Sequence, residues 1–146
     1  MITNDRQYRI TKAQMQRLQI GLDAAVKRKP SANVHPKIHV AMGKGIASQI
    51  EELQSQIDEY EALQRGEVTD QVITGLGNLS LALIRARIAA RFTQKELAER
   101  LDIPEQQVQR YEATLYAGAS LSRLAEVADV LALTIEEHVT YAIPSQ

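Results

Sequence analysis

"TQKELAERLDIPEQQVQRYE", residues 93–112, reads as two short helices joined at "LDIP". Thr93 can cap the first, and Glu96 three residues on completes the capping box "TQKE". That helix has only Leu97, Ala98 and Leu101 for a core. Ala98 is the telling residue, because two helices that cross steeply need a small side chain at their closest approach. Pro104 has no N–H to offer and suits the start of the second helix. The second helix, about residues 105–113, offers Val108 and Tyr111 inward and Gln106, Gln107, Gln109 and Arg110 outward. A helix that polar needs a reason to be held against a neighbour.

The flanking sequence supplies a setting. A helix over 80–91 places Leu83, Ile84 and Ile88 inward, and Leu121, Leu124, Val127, Ala128 and Leu131 mark a fourth helix. Thr134 with Glu137 is read as the cap of a fifth. No run of alternating β-branched residues is bounded by hairpin turns. The expected class is therefore all-α, with a five-helix unit over residues 79–146.

Residues 1–66 read as a helical hairpin. Thr11 with Gln14 suggests a cap for a helix carrying Met15, Leu18, Leu22 and Val26 on one face, and "KRKPSANVHP" breaks it. A second helix is expected from about Lys37 to Arg65, interrupted early by Gly43 and Gly45. Its apolar residues Ile46, Ile50, Leu53, Ile57 and Tyr60 repeat at 4, 3, 4, 3, the spacing of a coiled-coil seam. The two arms are expected to pair along that seam, and the seam is expected also to meet another subunit and so dimerise the protein; the other reading is an ordinary hairpin packed on its own C-terminal domain. Residues 67–78, rich in glycine, read as a linker.

Net charge is −1, but it is distributed in blocks. Residues 1–45 carry nine Lys/Arg against two Asp/Glu, and residues 46–78 carry one against seven. Opposite charge on the two arms is expected to favour their pairing, at about 0–1 kcal/mol for each exposed pair. The chain has no cysteine, which excludes disulfides and thiolate metal sites. No apolar run approaches a membrane span, and the first residues lack a signal peptide's apolar core, so a cytoplasmic protein without membrane contact is expected.

Arg87, "TQKELAERL" (93–101), "VQRYE" (108–112) and "SLSRLAEVADVL" (120–131), in that order and spacing, resemble the Cro/phage-repressor type of helix-turn-helix, the xenobiotic-response-element family. The resemblance covers about a third of the chain and is silent on residues 1–78. It departs from the family at Arg91 and Asp102, where glycine is usual, and at "EATLYAGA" (112–119), which replaces a Glu-x-Gly exit. It implies a transcriptional regulator that binds double-stranded DNA. HigA-type antitoxins belong to the same broad group, so a toxin protein is an alternative partner.

Under that reading the polar helix enters the major groove, where Gln can bond adenine and Arg guanine at two points. Gln106, Gln107, Gln109 and Arg110 are the expected readers. Gln94 matches a position that contacts DNA near the backbone, and Glu105 suits only a cytosine amino group. Other chemistry is weak. His35 and His39 lack a third ligand, and "GKG" (43–45) and "GLG" (75–77) lack the strand-loop-helix setting of a nucleotide site. Glu51, Glu52, Asp58 and Glu59 line a solvated helix face. No cofactor, metal or enzymatic activity is expected.

Overall fold

A computed structural model describes residues 1–28 and 33–145. Six α-helices follow in order: α1 Asp5–Lys27, α2 Pro36–Gln64, α3 Leu79–Ala89, α4 Gln94–Leu101, α5 Glu105–Ala113 and α6 Leu121–Val130. A short 3-10 turn, Leu76–Asn78, leads into α3, and no strand forms among the described residues. The all-α class holds.

The hairpin differs in detail from its sequence reading. α1 begins six residues before Thr11, because the Asn4 side chain accepts from Gln7 N at 2.9 Å and caps the helix there. Pro36 opens α2 rather than ending a helix, with His35 as cap. Gly43 and Gly45 lie inside a continuous helix. Part of the expected break, residues 29–32, falls outside the described residues. Val26 is exposed, and Ala25 takes its place on the inner face.

Tyr8, Thr11, Met15, Leu18, Leu22 and Ala25 form the half-buried stripe of α1, at spacings 3, 4, 3, 4, 3. The α2 seam has the same period, so the two arms satisfy each other as an antiparallel pair within one chain. At the base of the hairpin, Ile57 and Tyr60 are 2% and 4% exposed and share one core with Leu63, Leu83, Ile84 and Ile88. Tyr8 stacks on Tyr60, with ring centroids 5.2 Å apart. Burial, with a bond from the hydroxyl to Asp5 at 3.0 Å, pushes the Tyr60 hydroxyl up to about 12. The expected dimerisation seam is therefore occupied inside the chain. Ile46, Ile50 and Leu53 are half-buried against α1, and Ile57 and Tyr60 have no face left for a second subunit.

The expected charge pairing between the arms is also absent. Among the described residues no ion pair joins α1 to α2. The nearest approach is relayed: Lys12 donates to the Tyr8 hydroxyl at 3.2 Å, and that hydroxyl donates to Glu61.

The C-terminal unit has four helices, not five. Residues 133–145 have no regular structure despite the Thr134–Glu137 signal, and Val139, Tyr141 and Ile143 are exposed. A cap cannot hold a helix whose apolar side chains find nothing to pack on, and Ile135, Val139 and Thr140 are poor helix formers.

Helices α4 and α5 pack on each other, and Ala98 of α4 is 2% exposed in the core they share with Val108. Ala98→Leu should cost about 1–3 kcal/mol by overpacking this core. A urea midpoint unchanged from the wild type would contradict it.

Candidate nucleic-acid interface

The turn between α4 and α5 depends on Asp102, whose φ of 53° and ψ of 47° lie in the left-handed region. Asp tolerates this better than most residues, so the turn forms without glycine. Ile103 N then closes onto Ala98 O at 3.0 Å. Arg91 adopts φ 59° at the exit of α3, and its Nε donates to Gln64 O at 3.0 Å, tying that turn to the end of α2. The exit of α5 uses two consecutive left-handed residues, Leu115 and Tyr116. Tyr116 turns inward and stacks on Tyr111 at 5.4 Å, and burial pushes its hydroxyl pKa up.

Upstream, the capping box forms as expected. Thr93 N donates to Glu96 Oε2 at 2.7 Å, and Glu96 N donates to the Thr93 hydroxyl at 3.1 Å. The bond from Thr93 N, with that from its hydroxyl, holds the Glu96 carboxyl below its usual range.

Behind α5 lies a buried polar network. Arg87 of α3 and Glu112 of α5 are each 3% exposed and paired through two parallel bonds, with Nη2 to Oε2 at 2.9 Å. The guanidinium also donates to Phe92 O at 2.6 Å and to Thr3 O. Gln94 Nε2 donates to Glu112 Oε2 at 2.7 Å, and Asn4 Nδ2 reaches Gln94 Oε1 at 3.4 Å. No buried side-chain nitrogen or oxygen among the described residues lacks a partner. This network joins α3, α4, α5 and the segment before α1, so it fixes the presentation of α5.

The expected contact residues separate into four groups. Gln106 and Arg110, four residues apart, are exposed, and the side chain of neither has a bond among the described residues. Glu105 and Gln109 are exposed but bonded to each other, Gln109 Nε2 to Glu105 Oε1 at 3.1 Å. Gln107 is half-buried, its amide donating to the Tyr111 hydroxyl at 2.7 Å. Gln94 departs furthest from expectation. It is 7% exposed and bonded inward, so its side chain positions α5 rather than meeting solvent.

The Arg87–Glu112 pair was not foreseen. Its signal is in the sequence: Arg87 follows Leu83 by four residues on an apolar face, and Glu112 follows Val108 likewise. Opposite charges at two core positions call for each other, because neither is tolerable alone.

An open cleft of about 1300 Å³ runs between the first turns of α1 and the α4–α5 unit. Arg6 and Ile10 line one side, Glu105, Gln109 and Ala113 the other. Gln94 and Thr93 also line it.

Residues 83–138, well under half of the chain, match the helix-turn-helix family model. No curated protein and no solved structure matches the chain. The match and the geometry of α4 and α5 support a DNA-binding regulator of transcription. No helix among the described residues is long and apolar enough to cross a membrane.

Proposed function

We propose that the protein is a sequence-specific repressor that reads an inverted-repeat operator as a dimer, with α5 in the major groove. The observation that carries this reading is the division of α5. Val108 and Glu112 anchor it to the core, while Gln106 and Arg110 stand free on the outer face. Those two side chains have the donors and acceptors that adenine and guanine edges require.

The second copy follows from affinity, since one helix-turn-helix reads only a few base pairs. Ile57 and Tyr60 of the α2 seam are taken up by the core of their own chain, which favours another surface for the second copy. The far part of the hairpin has no fully buried residue and exposes Ile20, Val26, Ile38, Val40 and Met42. A second copy laid on that part would cover them. The antitoxin reading uses the same surface for a toxin, with the exposed C-terminal residues Val139, Tyr141 and Ile143 as further contacts. Light scattering of the protein alone separates the two, because only the first requires a dimer without a partner.

Base reading has its own test. Gln106→Ala and Arg110→Ala should each weaken binding to a duplex selected from a random pool by about 1–3 kcal/mol, with little change on mixed-sequence DNA. Equal losses on both duplexes would overturn the assignment.

A further inference from the structure

We propose that α1 carries a second row of DNA contacts, in which Arg6 and Arg17 hold backbone phosphates beside the bases read by α5. This rests on the DNA-binding reading above and extends its footprint to the N-terminal half.

The argument begins with a charge imbalance that the fold leaves in place. Residues 1–45 are strongly basic, and the acidic arm that follows them in sequence does not neutralise them. The ion pairs of the described residues are Arg65 with Glu61 and Glu67, Arg85 with Glu59, Arg87 with Glu112 and Arg123 with Glu126. Arg6 and Arg17 take part in none of them, and both are exposed.

Position decides what such a row faces. Arg6 lines the cleft whose opposite wall is Glu105, Gln109 and Ala113 of the recognition helix. A duplex seated on α5 brings its backbone to the rim of that cleft. Arg17 lies eleven residues on, which is three helical turns and a rise of about 16 Å, so it shares the face of Arg6. Ile10, between them, also lines the cleft. Lys12 points elsewhere, its ammonium 5.0 Å over the Tyr8 ring. Three carboxylates border the cleft, and each has a partner: Asp5 accepts from Tyr60, Glu105 from Gln109, and Glu112 from Arg87 and Gln94. Arginine suits the task, because its planar fork matches phosphate oxygens. Phosphates held this way carry no sequence information and set the orientation of the protein on the duplex.

The competing occupant is the acidic face of α2 in a second copy. The cleft shared with α5 favours DNA, since the wall opposite Arg6 belongs to the reading helix.

The test uses the full chain, a mixed-sequence duplex of about three helical turns and a selected duplex of equal length, with binding measured across a salt series. Arg6→Gln combined with Arg17→Gln should reduce the slope of log K against log salt by about 1.8 on both duplexes, the loss of two phosphate contacts. Preference for the selected duplex should survive. Lys12→Gln should leave the slope unchanged. A double variant with the wild-type slope, from a protein that still prefers the selected duplex, would overturn the inference and leave the DNA-binding reading standing. A double variant that keeps its slope but loses self-association would assign the row to a second copy. Wild-type protein that binds neither duplex would overturn both.

Discussion

Replacing Glu112 by Ala should cost about 3–5 kcal/mol of stability, because it leaves the Arg87 guanidinium buried without its counter-charge. Domains of this size have about 5–15 kcal/mol in total, so the variant should be largely unfolded at modest urea. The guanidinium would keep Phe92 O and Thr3 O as acceptors, and neither is charged. Gln94 would lose its anchor as well, and with it the register of α4 against α5. The matched exchange Arg87→Met with Glu112→Leu removes both charges and should recover most of the loss, as replacing a buried pair by apolar side chains often does. Urea midpoints for Arg87→Met, Glu112→Leu and the double form a cycle whose coupling isolates the pair. A cost below about 1 kcal/mol for Glu112→Ala would mean that water reaches the site.

Ile57→Asp should be nearly as damaging, for a different reason. At 2% exposure, Ile57 sits where the hairpin base meets α3, so the new carboxylate would be enclosed by apolar side chains without a partner. Loss of the isoleucine and burial of the acid together should cost about 4 kcal/mol or more. Ile46→Asp, at a half-buried position on the same stripe, should cost about 1–2 kcal/mol, since its carboxylate can reach water. That difference between two positions of one seam is the signature of pairing within a chain. A seam shared between subunits would show both variants folded, with unchanged circular dichroism and a lower mass by light scattering.

The parts of the fold that were legible in the sequence are those with several local signals in agreement. For α4 and α5 the capping box, Pro104, the small Ala98 and the apolar spacing all point the same way, and the structure has the two helices there. The hairpin shows what periodicity leaves open. A 3.5-residue repeat calls for a partner helix without saying which chain provides it. The partner stripe on α1 was legible only in its middle, at Met15, Leu18 and Leu22, because Thr11 and Ala25 stand at two of its other positions. Thr134 and Glu137 offered a cap, but the apolar residues that follow, Ile135, Val139 and Ile143, are exposed with nothing to pack on, and no helix formed. At the candidate interface, residue type alone could not separate Gln106, free in solvent, from Gln107 and Gln94, whose amides are held by Tyr111 and Glu112. That distinction depends on which neighbours fold against each glutamine.

The uneven burial of the hairpin has a consequence for how the molecule breathes. α1 has no fully buried residue, and those of α2 lie within its last eight positions, Ile57, Tyr60 and Leu63. Amides near the base can exchange with solvent only when the core shared with α3 opens, which requires close to the whole unfolding free energy. Amides toward the tip need only the two arms to part. The arms therefore belong to two cooperative units, and protection from exchange should fall steadily over the roughly 30 Å from base to tip. A second copy settling on the tip would slow exchange there and leave the base unaltered.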